Sequence, residues 1–519
     1  MKKWCWPLLV VALLGIASTA LAAASAPKAH PTSKTTLTVS SYSDPKSLNP
    51  FAKDSRDAQR VYYQVYERLI NRDPVKNGEF VGVLAESWRV ANDGRSITFK
   101  LRKGVKFHNG AELKASDVVF SMKTMAGYPT TVAGEEYINY KGVTASDDYT
   151  VIVPLAYKCS LALPALANAN HVIVNEKWWT AAGDKVATTA NGTAKMMIKD
   201  GDYKLNSQVT FTRFDGYWGT PAALEKIVMR FIPENTQAAI ELETGAIDLV
   251  LDVSAVDYKR MDTSATMKLL QFPTNTNDFL NFNTTDKLFS DVRVRRAVAH
   301  AMNAEDYFKA VYLGWGKIAY GSITPDVAFY DNEFEGDKWP YKQDVEKAKT
   351  LLKDAGYPNG FTFDLWVDQD VNRQKVAEIL KNQLAKAGIV ANIKNTESSA
   401  LNQMLADGTA QSWLYGVNAN TMEPDRALFI RFHKSLAVKN GTNYDRWSND
   451  AFSKTLDDAR LTFDTAEKAK LYKRAQQIWV DQVPSIPYYV RMQAVGANKR
   501  LQGVVGYGEA YNLFDAYFE

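Results

Sequence analysis

Residues 413–425, WLYGVNANTMEPD, combine aromatic, amide and carboxylate side chains, which are groups suited to binding a polar solute. Aromatic rings supply apolar contact area, and Asn supplies both hydrogen-bond donors and acceptors. The end of the segment also has the composition of a turn, because Pro424 fixes φ and Asp425 can bond to its own backbone. Local chemistry alone therefore predicts a surface loop, and a binding role depends on the elements around it.

Signals for catalysis or metal binding are weak. The histidines show no pair at metal-ligand spacing: His30, His108, His171, His300 and His433. The chain has no G-x-S-x-G, phosphate-loop or H-E-x-x-H motif. Its acidic pairs at 147–148 and 457–458 are typical of solvated turns and helix faces. We therefore expect no catalytic residues, no metal and no cofactor, although a triad of distant residues in a secreted hydrolase stays open.

The N-terminus has the pattern of a secretory signal. Lys2 and Lys3 precede an apolar run over residues 7–16, and Ala20-Leu21-Ala22 fits a cleavage site. The run is shorter than the ~18 residues of a spanning helix. We predict a signal peptide over 1–22 and a flexible leader over 23–36. Because Cys5 precedes the apolar run and no Cys stands directly at its end, we expect a periplasmic product without a lipid anchor.

Charge and cysteine content bear on the binding partners and on the disulfides that the chain can have. Removal of Lys2 and Lys3 lowers the formal net charge of +4 by two, and no dense basic cluster remains. We therefore expect no nucleic acid partner. Cys159 is the single cysteine after residue 22, so no intrachain disulfide can form. Packing must stabilise the fold.

Hydrophobic periodicity predicts two β-α-β units. The first has strands at 227–232 and 247–251 around a helix at 236–244, which ends at Gly245. The second has strands at 361–367 and 390–394 around a helix that ends at Gly388. Two such units far apart in sequence predict two α/β lobes.

Other elements are predicted from local signals. Residues 97–101 alternate as in a strand, and a turn at 102–104 predicts a hairpin with 105–107. Ser116 is the expected N-cap of a helix through Met122. Helices at 344–355 and 467–482 carry one apolar stripe each and should pack on a sheet. The 12 Trp, 26 Tyr and 23 Phe residues exceed what one modest core requires, which favours an aromatic-lined ligand cleft.

Several ordered motifs together resemble the extracellular solute-binding proteins of ABC transporters, in the peptide/nickel-binding class called family 5. They are LAESW at 84–88, FKLRKGVKFHNG at 99–110, SDVVFS at 116–121, YWG at 217–219, ETGAID at 243–248, NT at 283–284, VRVRRAV at 292–298 and LLKDAGYP at 351–358. The resemblance extends from about residue 37 to the C-terminus.

This resemblance implies an α/β, two-lobed periplasmic-binding-protein fold of type II with two crossing segments at the hinge. The first lobe should take 37–273 and 488–519, with an inserted subdomain at about 61–195. The second lobe should take 274–487, and the crossings should lie near 274–283 and 484–489. The implied function is capture of a peptide or peptide-like solute for the ABC permease subunits of an importer, by a protein that we expect to be a monomer and not an enzyme.

The resemblance also indicates where the solute binds. Peptide-binding members commonly hold an Asp that pairs with the α-amine of the ligand, and Asn420 stands at that place here. Asn brings no charge, so the substitution favours sugar-like, opine-like or amine-blocked ligands, unless Glu423 or Asp425 supplies the charge. A chaperone-like or chemoreceptor-facing role on the same scaffold is a further alternative. The candidate binding residues are Tyr42, Asn283, Trp413, Tyr415, Asn418, Asn420, Glu423 and Asp425.

Overall fold

The computed structural model describes residues 29–52, 55–72, 79–128, 135–418, 423–507 and 510–519. The predicted signal peptide lies outside these residues, as do residues 23–28 of the predicted leader.

Strands occur throughout the described chain. The first part of the chain contains β1 (Thr36–Ser41), β2 (Ile70–Arg72), β3 (Phe80–Gly82), β4 (Ala85–Val90), β5 (Ser96–Leu101), β6 (Thr144–Asp147), β7 (Thr150–Pro154), β8 (Met196–Met197), β9 (Tyr203–Lys204), β10 (Gln208–Arg213), β11 (Lys226–Phe231) and β12 (Leu249–Val250). The second part contains β13 (Met267–Phe282), β14 (Phe361–Val367), β15 (Ile389–Asn395), β16 (Ser412–Asn418), β17 (Ser485–Asn498), β18 (Leu501–Gln502), β19 (Val505–Tyr507), β20 (Ala510–Asn512) and β21 (Tyr517–Phe518).

Helices alternate with these strands. They are α1 (Arg56–Val65), α2 (Ala115–Met125), α3 (Ala162–Leu166), α4 (Glu176–Ala182), α5 (Asn235–Glu243), α6 (Tyr258–Asp262), α7 (Val292–Ala301), α8 (Ala304–Ala310), α9 (Val345–Asp354), α10 (Val371–Ala385), α11 (Ser398–Asp407), α12 (Pro424–Phe432), α13 (Asp450–Leu461) and α14 (Thr465–Gln482). Short 3-10 helices cover Tyr140–Gly142, Gly183–Ala187, Ala255–Asp257, Asn332–Phe334, Gly336–Lys338 and Lys434–Leu436. In the described ranges, no helix is both long and apolar enough to cross a membrane.

One mixed sheet runs through the whole molecule. Within the described residues it has 11 strands, in the order β15-β14-β16-β13-β17-β12-β1-β11-β10-β8, with β9 on β10. The long antiparallel strands β13 and β17 form its middle and belong to both halves. The pairing of β13 with β17 is irregular between Pro273 and Asn277 and again between Asp278 and Phe279. Such irregularities bend and twist the strand pair locally, here in the middle of the sheet.

Each lobe has its own core. The core of the first lobe includes residues from β1, β11 and the separate sheet β4-β5-β7-β6. The core of the second lobe includes residues from β14, β15, α10 and α14. The apolar burial therefore falls into two main clusters, one in each lobe.

Both predicted β-α-β units are present. In the second lobe, β14 and β15 are adjacent and parallel, with α10 between them in sequence. In the first lobe, β11 and β12 both run parallel to β1, which lies between them. Asp370 caps α10, and Gly388 follows the helix at φ +82°, a left-handed conformation that favours glycine.

Two local predictions are wrong, one about the partner of a strand and one about the first residue of a helix. Strand β5 pairs with β4 and β7 rather than with residues 105–107. Both of its edges are therefore occupied by these strands, and the turn at 102–104 does not form a hairpin. Helix α2 begins two residues earlier than predicted, with Lys114 as the N-cap in place of Ser116. Asp117 instead accepts a hydrogen bond from the Lys114 backbone N at 2.9 Å, which holds the first turn from inside the helix.

Candidate functional site

Strand directions place a cleft between the lobes. In the first lobe, β12 runs antiparallel to β17, so its carboxyl end points toward the second lobe, as does that of its parallel neighbour β1. In the second lobe, β16 runs antiparallel to β13, so its carboxyl end points toward the first lobe, as does that of β14. Ligands bind beyond the carboxyl ends of parallel strands in open α/β sheets. The two sets of ends therefore face one site, whose floor is the crossing of β13 and β17.

Five charged side chains gather near this crossing, and we call them the hinge cluster: Asp278, Asp368, Asp370, Arg373 and Arg491. Arg491 donates to Asp278 from Nε to Oδ2 at 2.6 Å and from Nη2 to Oδ1 at 2.9 Å. Arg373 donates from Nη2 to Asp278 Oδ1 at 3.2 Å and from Nη1 to Asp368 Oδ2 at 2.6 Å. Asp278 is 1% exposed, so these bonds join β13, β17 and the start of α10 below the surface.

Arg491 and Asp370 bring the hinge cluster to the solvent. Their side chains are 36% and 30% exposed, and Arg491 Nη2 lies 3.4 Å from Asp370 Oδ2. Burial opposes the charge on Arg491, but the Asp278 carboxylate outweighs it and raises the pKa of Arg491. Asp370 Oδ1 accepts from the backbone N atoms of Asn372 and Arg373 at 2.9 and 3.1 Å, so Oδ2 is the oxygen that faces Arg491. The floor thus presents a cation beside a carboxylate.

A pair of tyrosines adjoins the hinge cluster. Tyr312 and Tyr489 are stacked, with ring centroids 3.5 Å apart and an interplanar angle of 6°. Burial and the nearby Asp278 carboxylate raise the pKa of Tyr312, so its phenol stays protonated. A Cβ at Gly316 would collide with the Tyr489 hydroxyl, and Gly316 has φ +94°. Glycine at this position therefore allows the backbone to approach the tyrosine.

The first lobe supplies a second charged group, at the carboxyl end of β12. Arg60 is fully buried and binds Asp252 through two hydrogen bonds, Nη1–Oδ2 at 2.6 Å and Nη2–Oδ1 at 2.9 Å. Gln493 Nε2, on β17, donates to Asp252 Oδ1 at 3.1 Å. Burial opposes the charge on Asp252, but Arg60 outweighs it and lowers the pKa of the carboxyl.

Three of the aromatic candidates lie in different surroundings. Tyr42 directly follows β1 and is 47% exposed at the carboxyl end of that strand. Tyr415 is half-buried, and its ring centroid lies 5.3 Å from the Arg373 guanidinium of the hinge cluster. Trp413 is 1% exposed and belongs to a small apolar cluster with Leu401. Tyr42 and Tyr415 are thus near the cleft, whereas Trp413 packs inside the second lobe.

The amide candidates also separate. Asn283 is buried, donates from Nδ2 to Gly408 O at 2.9 Å and accepts from Thr285 N at 3.1 Å, so its side chain fixes the end of β13. Asn418 pairs through its backbone with Thr276 at the crossing. Asn420 lies outside the described residues.

The prediction of a surface loop at Glu423-Pro424-Asp425 is wrong. Pro424 is the first residue of α12, and Glu423 and Asp425 are 2% and 6% exposed. Proline suits the first helical turn because its missing N–H would have no helical partner there.

Both carboxylates of this segment are already paired. Glu423 Oε2 accepts from Arg72 Nη2 at 2.5 Å, and its Oε1 lies 3.4 Å from Lys468 Nζ. Burial acts against the charge, but Lys468 and Arg72 outweigh it and lower the pKa of Glu423. Asp425 accepts from Arg460 at 2.7 and 2.8 Å, while burial raises its pKa. Both side chains therefore have partners within the protein.

The hinge cluster was missed from the sequence, although one signal pointed to it. Asp278 lies inside the predicted crossing at 274–283, where a carboxylate within a strand requires a partner. Arg491 follows the other predicted crossing closely. Their partner Arg373 lies 95 residues from Asp278, so no local pattern joins them.

Among the residues that the structure describes, no group of three His, Cys, Asp or Glu side chains is arranged to hold a metal ion. Cys159 is a buried free thiol, and burial raises its pKa.

Comparison with known proteins identifies a family. The family model described as "Bacterial extracellular solute-binding proteins, family 5 Middle" matches residues 79–437. The dipeptide-binding protein of Escherichia coli K12 is 30% identical over 504 residues, covering 91% of each chain. The heme-binding protein A of Haemophilus influenzae is 29% identical, covering 87% of this chain and 86% of the relative. The glutathione-binding protein of Escherichia coli K12 is also 29% identical, covering 88% and 89%.

Solved structures share the fold. HbpA2 from Haemophilus parasuis is 28% identical and has a TM-score of 0.85, and the alignment covers 93% of this chain and all of that chain. A second similar structure is the ABC transporter-associated periplasmic binding protein DppA from Helicobacter pylori, solved in complex with the peptide STSA. It is 27% identical to this chain and has a TM-score of 0.68, and the alignment covers 93% of this chain and 98% of that chain. The predicted family and the predicted two-lobed type II fold are confirmed.

Proposed function

Since the chain belongs to the bacterial extracellular solute-binding proteins of family 5, we propose that it captures a short peptide or peptide-like solute between its lobes and delivers it to an ABC permease. The observation that carries this proposal is the partly exposed pair of opposite charges on the cleft floor, Arg491 and Asp370. A short peptide carries both charges and several amide groups. Closure of the lobes removes water from such contacts and strengthens them.

The relatives support a peptide class. The curated relatives above include a dipeptide-binding and a glutathione-binding protein, and one structural neighbour holds a tetrapeptide. We infer that Tyr42, Tyr415, Asn418 and Asn420 contact the solute. We assign Trp413, Asn283, Glu423 and Asp425 to the support of that surface, because each is buried or already bonded.

Binding is tested by calorimetry on the mature protein from Ala23. The panel contains Met-Leu, reduced glutathione, haemin, a disaccharide and an opine at the same concentrations. We expect the peptides to bind and Asp370→Asn to weaken them, while Glu346→Asn, a change at an exposed carboxylate on α9, has no effect. Selective binding of haemin, the disaccharide or the opine would move the function to that ligand class.

Enzyme activity is tested in the same tubes. A solute-binding protein should return each peptide intact after long incubation, as measured by mass spectrometry. Stoichiometric binding followed by release of cleaved products would instead support the alternative of a secreted hydrolase.

Lobe closure is tested by small-angle scattering. Saturation with a calorimetrically verified ligand should reduce the radius of gyration, because the two cores move together about β13 and β17. An unchanged radius would contradict closure. Native mass spectrometry of the same sample tests the expected monomer and reveals the mass of any co-purified solute.

Export and delivery complete the proposal. The N-terminal pattern supports cleavage after Ala22 and release into the periplasm without a lipid anchor. The mature N-terminus in a periplasmic fraction should begin near Ala23, and retention of Met1 would refute cleavage. Deletion of the gene should abolish uptake of a labelled peptide that binds in calorimetry, and uptake should return with the wild-type gene.

A further inference from the structure

The second lobe contains a cavity of about 470 Å³ near the start of β17. It lies within the size range of small-molecule sites. None of the hinge-cluster residues is among its lining residues, so it is separate from the floor of the cleft. Its lining includes Glu305, Tyr320, Asp337, Trp339, Tyr341 and Lys342.

Three aromatic rings form one wall of this cavity. Trp339 lies between Tyr341 and Tyr320, with ring centroids 5.5 Å and 6.1 Å away and interplanar angles of 74° and 61°. The rings therefore meet edge to face and are not stacked face to face. Tyr341 is buried and donates from its hydroxyl to Val480 O at 2.9 Å, which fixes the wall. Faces of indole and phenol rings attract cations.

Carboxylates accompany the rings. Glu305 and Asp337 line the cavity, and burial together with Glu305, Glu335 and Asp337 raises the pKa of Tyr320. Lys342 also lines the cavity, but its Nζ lies 2.7 Å from Asp337 Oδ1 and balances that carboxylate. Glu305 pairs with Lys309 at 2.8 Å, an exposed pair whose lysine is not a lining residue. Exposed pairs of this kind are weak, so a ligand cation can compete for Glu305.

We propose that this cavity binds a small organic cation, a primary or quaternary amine, at a site separate from the interlobe cleft. The aromatic wall around Trp339 takes the apolar substituents and the positive charge, and Glu305 supplies the opposite charge at the rim. Ile486 and Pro487 belong both to the cavity and to the first residues of β17, so the bound cation lies against a strand that enters the hinge.

The test measures binding of choline and of its neutral isostere 3,3-dimethyl-1-butanol to the full mature protein by ligand-observed NMR at constant ionic strength. Choline should bind about tenfold more tightly than the neutral isostere, as a cation–π contact plus a carboxylate predicts. Trp339→Leu should weaken choline about tenfold, and Glu305→Gln should weaken it severalfold. The matched change Glu346→Gln, on α9, should leave choline binding unchanged.

Three results would overturn the proposal. They are equal binding of choline and the isostere, no choline binding at all, and choline binding that is lost in Asp370→Asn but kept in Trp339→Leu. The last result would place the cation in the cleft. Thermal melting of each variant shows that it is folded, and a variant of Trp339 that does not fold is replaced by Tyr320→Leu, for which the same loss is expected.

Discussion

Arg72 at the end of β2 and Glu423 at the start of α12 form a largely buried ion pair, with Arg72 Nη2 2.5 Å from Glu423 Oε2. A second contact lies nearby, where Ser160 N donates to Arg460 O at 2.7 Å. Arg460 is itself held by Asp425. The two lobes are therefore connected at the segment around Pro424 as well as at β13 and β17, and any hinge motion must preserve or break these contacts.

Arg72→Gln should destabilise the protein and loosen the lobes. Breaking a buried pair by removing one partner costs about 3 to 5 kcal/mol, and the lower end is expected because Lys468 still faces Glu423. Urea unfolding measures the stability, and scattering of the ligand-free protein should give a larger radius of gyration. Lys349→Gln, in an exposed pair with Glu346, should change neither value. Wild-type values for both measurements in Arg72→Gln would refute a role for the pair.

Asp278→Asn should weaken both the fold and the binding site. The variant leaves Arg373 and Arg491 without their shared carboxylate, at a cost of about 3 to 5 kcal/mol in the free energy of unfolding. Asp458→Asn, at an exposed carboxylate paired with Lys454, should cost less than about 0.5 kcal/mol. Peptide affinity, measured where both variants are folded, should fall in Asp278→Asn alone. Equal stabilities would show that the hinge cluster is not a stabilising network.

The buried ring of His108 should make the protein less stable in mild acid. Its Nε2 lies 3.0 Å from Ala194 O, Gly192 N donates to its Nδ1 at 3.2 Å, and burial lowers its pKa to about 4. The unfolded chain takes up this proton near pH 6.5 and the folded chain does not. Stability contributed by the neutral ring is therefore complete above pH 6.5 and declines as the pH falls toward 4, by less than about 3 kcal/mol.

His108→Asn should remove this dependence. Urea unfolding at pH 7.5 and pH 4.5 gives the stability difference for each protein, and that difference should be smaller in His108→Asn than in the wild type. His30→Asn, at an exposed histidine, should behave as the wild type. Identical pH dependence in all three proteins would contradict the assignment.

Asn420→Asp should increase the preference for a free α-amine. The prediction rests on the resemblance to peptide-binding members, and it is sharpened by the finding that Glu423 and Asp425 are already paired. A hydrogen bond to a charged group contributes about 1.5 to 3 kcal/mol, so the variant should favour a free over an acetylated N-terminus by about tenfold to a hundredfold. Paired calorimetric titrations measure this ratio. An unchanged ratio in Asn420→Asp would refute the prediction for Asn420, whereas a preference that the wild type already shows is assigned to Asp370 and should fall in Asp370→Asn.

Elements with a strong local signal were predictable from the sequence. The strand at β14, the helix α10 and the strand at β15 follow from alternation, helical spacing and Gly388, all within 35 residues of chain. The family followed from the order of short motifs along the chain, although the contacts of those motifs are not local. Tyr217 and Trp218 of the YWG motif, for example, both donate to the side chain of Glu67, at 2.9 and 3.1 Å, across 150 and 151 residues.

The tertiary structure alone decided which charges meet. Asp278 binds Arg373 across 95 residues and Arg491 across 213, and no periodicity records such distances. Likewise, Glu423-Pro424-Asp425 has the composition of a turn, yet Arg72, Lys468 and Arg460 converge on it and allow both carboxylates to be buried. Sequence patterns report the local conformational preferences and burial of a segment, whereas a buried charge is stable only with its partner, and the fold supplies that partner.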